Sequence, residues 1–203
     1  MTSRVQIRAA DTNIPDDPEF HAAAAAMFAR QGALVLPDFL DAPVQAILAD
    51  AWTSAGFVRE PIRIAGSRSV EAPARGGRLL TLLLAREPVR RWLEDVTGAK
   101  PLAAVSGSIV RMEVDDRLDW HDDQGDKARR LAITINLADT PYEGGRFEMK
   151  PRHSDRATFV HDHFAPGTAL VFAVSRDLLH RVTPLTGGGP RAVYTGWFLS
   201  AVR

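Results

Sequence analysis

Apolar positions recur at helical spacing through the first half of the chain. Asp17 before Pro18 is a typical helix start, because the carboxylate accepts backbone hydrogen bonds and proline suits the first turn. Gly32 is a typical helix stop. The pattern predicts three helical stretches: Pro18 to about Gln31, Ala42 to about Ser54, and Gly77 to Thr97 with an interruption at Pro88.

The segments around these helices show no helical period. Residues 1–16 are polar, and we expect a loose leader there. Ala33 to Leu40 favours a short strand followed by a turn. Gly56 to Gly76 carries several arginines without a clear period, which predicts an extended or partly ordered connection.

Beyond Gly98 the pattern changes to short β-type runs separated by glycine, proline and aspartate. Several short strands with turn signals between them are typical of a sandwich or barrel. Helices that precede the strands favour a mainly β, α+β architecture with helices on one face of the β-core. The predicted strands are Ala103–Met112, Leu131–Leu137, Arg146–Met149, Ala157–His161, Thr168–Val174, His180–Pro184 and Ala192–Leu199.

The composition of the chain excludes several kinds of binding partner and of reactive site. The 203 residues hold 25 basic and 25 acidic side chains, so nothing at this level suggests nucleic acid or an anionic membrane as a partner. The absence of cysteine excludes disulfides, thiolate zinc sites and cysteine nucleophiles. The polar start lacks a secretory apolar region, and apolar runs such as Leu79 to Ala85 are too short to span a bilayer. We therefore expect a cytoplasmic protein.

Three residues in the second half form a candidate metal site. In an extended segment His121 and Asp123 face the same side, so they can present an imidazole and a carboxylate to one ion. His180, on a separate predicted strand, can complete a set of two histidines and one carboxylate. That set covers one face of an octahedral ion and leaves the other positions open, as in non-haem Fe(II) oxygenases.

A candidate anion site follows the last of these ligands. If His180 ends one strand and the next begins near Arg191, the glycine-rich turn Gly187 to Gly189 returns the chain beside the metal. A guanidinium there can hold a carboxylate through two parallel hydrogen bonds. A dicarboxylate that chelates the metal at one end would fit both sites.

This ordered set resembles the 2-oxoglutarate/Fe(II) oxygenase superfamily, and most closely its prolyl 4-hydroxylase-like branch. The resemblance covers about 106–199 and includes the segments Tyr-Glu-Gly-Gly-Arg-Phe at 142–147 and Arg-Ala-Val-Tyr-Thr-Gly-Trp-Phe at 191–198. It implies a double-stranded β-helix, or jelly roll, with N-terminal helices packed on one sheet. It also implies a single domain over 1–203, with a helical lead-in and support at 1–100 and the β-core with the active site at 101–203.

The resemblance also implies a reaction. Fe(II) would be held by His121, Asp123 and His180, with no catalytic side chain beyond these ligands, and 2-oxoglutarate would chelate the iron while its far carboxylate pairs with Arg191. Oxygen would be consumed, and 2-oxoglutarate would give succinate and carbon dioxide as a substrate C–H bond is hydroxylated. Because halogenases of this family lack the carboxylate ligand, Asp123 favours hydroxylation.

Other positions have open assignments. Arg111 and Asn136 stand where relatives often carry tyrosine, and each is either a contact to 2-oxoglutarate or substrate or a solvated strand residue. Trp197 either walls the iron pocket or belongs to the core. His161 and His163 are substrate-pocket residues, an adventitious metal pair, or part of a polar lid loop.

Two other functional classes fit parts of the pattern. A cupin-like metal enzyme would need no 2-oxoglutarate, and a non-catalytic sensor would bind metal or 2-oxoglutarate without turnover. The residues favour the oxygenase, acting on a small molecule or a peptide or protein side chain and not on nucleic acid. The connection at 150–167 and the segment at 56–76 are where we expect specificity, because loops on a rigid scaffold commonly carry it.

Overall fold

A computed structural model of the chain describes residues 4–62 and 66–201. All the β-runs predicted beyond Gly98 are strands, and the helices lie where the apolar spacing places them. The helices of the described part are α1 (Pro18–Gln31), α2 (Ala42–Thr53), α3 (Arg75–Leu84) and α4 (Glu87–Thr97). The strands are β1 (Gln6–Ile7), β2 (Thr12–Asn13), β3 (Ala33–Leu36), β4 (Gly56–Ile62), β5 (Gly66–Ala72), β6 (Ala104–Met112), β7 (Leu118–His121), β8 (Arg129–Asn136), β9 (Tyr142–Gly144), β10 (Phe147–Pro151), β11 (Phe159–His161), β12 (Ala169–Ala173), β13 (Leu178–Val182), β14 (Leu185–Gly188) and β15 (Arg191–Leu199).

The centre of the fold is one antiparallel sheet of 11 strands. Ten of them follow the order β11-β10-β13-β7-β5-β6-β15-β8-β12-β3, and β4 pairs with β5. The sheet folds over on itself: the rings of Phe147 in β10 and Phe172 in β12, strands far apart in this order, lie 4.8 Å apart. The result is a double-stranded β-helix whose interior lies between the two halves of the sheet.

Two apolar clusters occupy the two faces of this sheet. Outside, Ile109 and Tyr194 pack with the residues of the helices, and the Tyr194 hydroxyl lies 2.9 Å from Thr81 Oγ1 of α3. Inside, a smaller cluster contains Phe147, Phe172 and their neighbours. Because side chains alternate along a strand, β3, β8 and β12 each contribute to both clusters. The expectation of helices packed on one sheet is confirmed.

Local capping defines the helix ends, and at Asp17 and Gly32 it does so as the sequence predicts. The Asp17 carboxylate accepts hydrogen bonds of 3.1 Å from the backbone N–H groups of Glu19 and Phe20, and Gly32 ends α1 with a left-handed φ of 67°. Asp41 accepts a hydrogen bond of 2.9 Å from Val44 N at the start of α2. Side-chain capping of this kind stabilises a helix by about 1 kcal/mol.

The start of α3 has a cap that sequence reasoning missed. The buried Glu71 carboxylate, at the end of β5, accepts hydrogen bonds from the backbone N–H groups of Gly76 and Gly77 at 2.8 and 2.9 Å. A Cβ at Gly77 would lie 3.1 Å from Ser108 Cα, so glycine lets α3 lie close against β6. These contacts tie the 56–72 hairpin to the sheet.

Two expectations about the first hundred residues are wrong. Residues 5–13 are not a loose leader, because Val5 and Ile7 are buried and Ile7 N donates to Phe39 O at 2.6 Å. The 56–76 segment is not an irregular connection: it forms the hairpin β4–β5, and β3 and β5 both join the main sheet. Positions 1–3 and 63–65, within these two segments, lie outside the described residues. None of the described helices has both the length and the apolar character needed to cross a membrane.

Candidate active site

The three predicted metal ligands meet at one end of the jelly roll. His121 ends β7 and pairs directly with His180 on the neighbouring strand β13, with ring centroids 4.2 Å apart. Asp123 lies beyond the end of β7 with a φ of 58°, so the expectation of one extended segment was wrong. The left-handed turn, which aspartate tolerates better than most residues, nevertheless brings its carboxylate back to the histidines.

The donor atoms are arranged as ligands around one position. Asp123 Oδ1 lies 3.6 Å from His121 Nε2, and Asp123 Oδ2 lies 3.5 Å from His180 Nε2. One donor atom from each of the three residues falls within 4.8 Å of the others. The His121 Nδ1 atom lies 2.7 Å from the backbone oxygen of Asp119, which leaves Nε2 available to a metal.

Two further residues orient the Asp123 carboxylate. The Trp197 indole N–H donates to Asp123 Oδ2 at 2.7 Å. The Arg129 guanidinium lies over the Trp197 ring at 3.8 Å and reaches Asp123 Oδ1 at 3.5 Å. Trp197 therefore lines the cavity beside the three candidate ligands and also contacts the Asp123 carboxylate. The contact of Arg129, at the start of β8, was not predicted from the sequence.

Burial and neighbouring charges favour the protonation states in which Asp123 and His121 can bind a metal ion. Burial by itself raises the pKa of Asp123, but the hydrogen bond and charge of His180, together with His121 and Trp197, bring it below the usual range. Burial, followed by the charge of His180, lowers the pKa of His121. A carboxylate and a neutral imidazole are the protonation states that bind a metal ion.

Arg191 is the first residue of β15 and is 2% exposed. Its Nη1 atom contacts Met112 Sδ at 3.5 Å, and its Nε atom has no hydrogen-bond partner. Burial lowers the pKa of the Arg191 guanidinium, while the Tyr142 hydroxyl acts in the opposite direction. No acidic side chain in residues 4–62 or 66–201 pairs with it. A buried, unpaired cation is costly, so the site fits an anionic ligand.

A cavity of about 220 Å³ opens over the three ligands. Thr134, Thr195 and Trp197 form part of its wall, and Arg191 lies on the same face of β15 four residues before Thr195. Four strand residues span about 13 Å. An extended five-carbon dicarboxylate and a long arginine side chain together bridge that distance, so the residues present suit a 2-oxoglutarate molecule that reaches from the metal to Arg191.

His163 is packed inside the barrel and is not on the surface. It is 1% exposed, its Nε2 atom lies 3.3 Å from Thr134 Oγ1, and its Nδ1 atom lies 3.2 Å from His161 Nε2. Burial, with the positive charge of Arg191 next, holds the pKa of His163 well below its usual range. A neutral His163 therefore lies inside the barrel near Arg191, whereas neither it nor His161 belongs to the group of three candidate ligands.

The structure does not support Arg111 and Asn136 as contacts to 2-oxoglutarate. Arg111 points away from the interior, over the Phe57 ring at 4.6 Å and 2.8 Å from Glu113, because the alternation of β6 turns Val110 and Met112 inward. The Asn136 amide donates to Phe164 O at 2.8 Å and also bonds the backbone of Ala138, so its hydrogen-bonding groups hold the 162–167 loop.

The chain matches a known protein family. The 2OG-Fe(II) oxygenase superfamily profile, of the group 2OG-FeII_Oxy_3, matches residues 107–199. This segment contains the three clustered ligands and Arg191. No curated protein matches the chain in sequence.

Solved structures of low sequence identity share the fold. A prolyl-4-hydroxylase from Pseudomonas putida is 18% identical with a TM-score of 0.67, covering 90% of this chain and 100% of that one. A prolyl hydroxylase from Trichoplax adhaerens, in complex with a hypoxia inducible factor peptide, is 13% identical with a TM-score of 0.68 and covers 89% of each chain. The epimerase SnoN from nogalamycin biosynthesis is 18% identical with a TM-score of 0.68, covering 91% of this chain and 84% of that one.

A structure of SnoN contains Fe3+ and α-ketoglutarate. In this chain the matched profile, the double-stranded β-helix and the clustered two-histidine, one-carboxylate group fall on the same β-core. Residues 107–199, which contain this group, therefore match the 2OG-Fe(II) oxygenase superfamily.

Proposed function

We propose that this 2-oxoglutarate-dependent iron oxygenase is a hydroxylase in which His121, Asp123 and His180 bind Fe(II) and Arg191 binds the far carboxylate of 2-oxoglutarate. The observation that carries the proposal is a converging ligand group beside a strand face that also carries Arg191, a buried arginine without an acidic partner among the described residues. We further propose that 1–203 acts as a single oxygenase domain, since β3 and β5 complete the sheet that holds the site.

Bound iron and 2-oxoglutarate would supply the oxidising chemistry, in which oxygen, 2-oxoglutarate and a substrate C–H give succinate, carbon dioxide and the hydroxylated product. The chain's own groups bind and orient. Trp197 and Arg129 hold the Asp123 carboxylate toward the metal position, and Arg191 fixes one end of the co-substrate. The apolar rings of Phe147 and Phe172, packed against His180, keep water from the inner wall.

The substrate is proposed to be a small molecule or a peptide. Among proteins of the same fold, one is solved with a peptide and another belongs to the biosynthesis of a small molecule. The zero net charge of the chain disfavours nucleic acid.

The test is an anaerobic titration of metal-free protein with Fe(II) and 2-oxoglutarate. We expect the weak visible charge-transfer band of the iron chelate, which decays with formation of succinate when oxygen is admitted. Iron binding without the band would favour the cupin-like alternative. A band without succinate would favour a sensor.

Replacement of the proposed metal ligand His180 tests the ligand assignment. His180→Ala should abolish iron binding and turnover, because a facial site with two remaining ligands holds the metal weakly. His153→Ala serves as the control, since His153 is exposed and outside the ligand group. Normal turnover in His180→Ala would overturn the ligand assignment.

A further inference from the structure

A second arginine reaches the metal cavity from the β4–β5 hairpin. Arg68 of β5 lines the cavity together with Ile62 of β4, and Trp197 lines the same cavity. Its side chain is 21% exposed, whereas Arg191 is almost completely buried. Arg68 is therefore a cation that a molecule entering from solvent can reach.

Within the described residues, the Arg68 guanidinium forms a hydrogen bond through only one of its nitrogens. Its Nε atom lies 3.3 Å from Glu60 Oε2, and the Glu60 side chain is 52% exposed. Within the described ranges, its terminal nitrogens form no hydrogen bond. The neighbouring arginines differ: Arg59 is bound to the buried Asp116, and Arg129 is stacked on Trp197 beside Asp123.

The rest of the cavity wall favours an anion at this point. Asp123 is the one acidic side chain among the described residues that line the cavity, and bound iron would neutralise it. Ile62, Leu118 and Val182 supply apolar surface in the same cavity. An arginine with free donors in such a cavity is suited to recognise a carboxylate through paired hydrogen bonds.

We propose that Arg68 binds a carboxylate of the primary substrate, and that this substrate is a small carboxylic acid. The inference rests on the proposed function, in which Arg191 already accounts for the carboxylate of 2-oxoglutarate. Two separate cations then serve two separate anions, one deep in the barrel and one near its mouth. The cavity of about 220 Å³ suits a compact acid over the iron.

The test compares small carboxylic acids with their primary amides, which remove the charge and keep the shape. The probes are N-acetyl amino acids, hydroxy acids and aromatic acids, each next to its amide, added to the iron-loaded protein with 2-oxoglutarate. Succinate formation above the basal rate is measured. We expect at least one acid to stimulate about tenfold more than its amide, the size of one lost charged hydrogen bond. Equal responses within every pair, including no response, would overturn the proposal.

Variants assign the effect to Arg68. Arg68→Gln should weaken the apparent affinity for the stimulating acid about tenfold, with partial recovery in Arg68→Lys. Arg117→Gln is the matched control, since Arg117 is an exposed arginine paired with Asp119 outside the cavity wall. If Arg68→Gln instead weakens the binding of 2-oxoglutarate, Arg68 belongs to the co-substrate site and the inference is wrong.

Separate measurements test the role of Arg68 and the proposed oxygenase function. The chelate band and basal succinate formation test the iron and 2-oxoglutarate chemistry without any added acid. If both are present and acids act no better than amides, only the role of Arg68 fails. If both are absent, the proposed function fails first.

Discussion

A hydrogen bond and an ion pair to the Asp123 carboxylate extend the candidate metal site beyond its three ligands. Trp197 donates to one carboxylate oxygen, and Arg129 approaches the other while stacking on the Trp197 ring. The alternation of β15 places Trp197 on the same face as Arg191, which sequence reasoning could recognise. The contact with Asp123 could not be predicted, because it depends on the left-handed turn at that residue.

Removal of the indole donor should weaken iron binding. We expect Trp197→Phe to lower the affinity for Fe(II) about tenfold, because groups that orient a ligand commonly change metal affinity by about that factor. Anaerobic competition with a chelator measures the affinity. Trp52→Phe, in α2 and away from the site, is the control. Equal affinities in the two variants would mean that the hydrogen bond does not support the ligand.

Loss of the Arg191 charge should lower the affinity for 2-oxoglutarate without lowering the free energy of unfolding. We expect Arg191→Met to weaken 2-oxoglutarate by about 2–3 kcal/mol, because a buried carboxylate loses its charged partner. The free energy of unfolding of the metal-free protein should not fall, since the variant removes an uncompensated buried cation. Calorimetric binding and urea unfolding measure the two effects. Unchanged 2-oxoglutarate affinity would place the anchoring cation elsewhere.

At the scale of elements, the β4–β5 hairpin forms one side of the site through a buried carboxylate. Asp116, in the turn between β6 and β7, binds Arg59 and accepts hydrogen bonds from Ser67 Oγ at 2.9 Å and Glu113 N at 2.8 Å. Burial raises the pKa of Asp116, but these partners outweigh it and bring the pKa below its ordinary value of 3.8. The hairpin thus stays beside the cavity that Ile62 and Arg68 line.

Neutralising Asp116 should loosen this hairpin. We expect Asp116→Asn to lower the free energy of unfolding by about 1–2 kcal/mol and to speed amide hydrogen exchange in β4 and β5. Asp119→Asn removes an exposed carboxylate paired with Arg117 and is the control. If hairpin exchange in the two variants matches that of the native protein, the Asp116 contacts do not hold it.

The hairpin also shows why edge elements escape a pattern-based prediction. In β4 the alternate positions are occupied by Val58, Glu60 and Ile62, so apolar and charged residues are mixed on the face that looks toward the site. When neither face of a strand is fully buried, its sequence does not alternate between apolar and polar residues. The strand prediction depends on that alternation. The same holds for β1 and β2, which have two residues each.

At the scale of the molecule, the folded sheet surrounds a neutral histidine next to a buried arginine. The pKa of His163 lies well below its ordinary 6.5, first through burial and then through the charge of Arg191. The unfolded chain binds this proton near pH 6.5, while the folded protein does not. The contribution to stability is therefore present above that pH and is lost as the pH falls.

Stability of the metal-free protein should report this linkage. We expect the free energy of unfolding to decline between about pH 7.5 and 5.5, and His163→Gln to show a smaller decline because the unfolded chain then has one fewer histidine to protonate. The exposed His153→Gln is the comparison. Identical slopes in the native protein and the His163→Gln variant would mean that His163 is protonated in the folded state.

The sequence by itself determined the class of fold and the identity of the candidate site. Helix caps and strand alternation are local, and the chemistry of two histidines, one carboxylate and an arginine is visible in the residue types. Tertiary structure decided what depends on contacts between distant segments: the hairpin beside the cavity, the Trp197 and Arg129 contacts to Asp123, the inward His163 and the outward Arg111. A sheet that folds over on itself assigns each side chain to the interior or exterior through its register with neighbouring strands. That register is a property of the assembled sheet and not of any single segment.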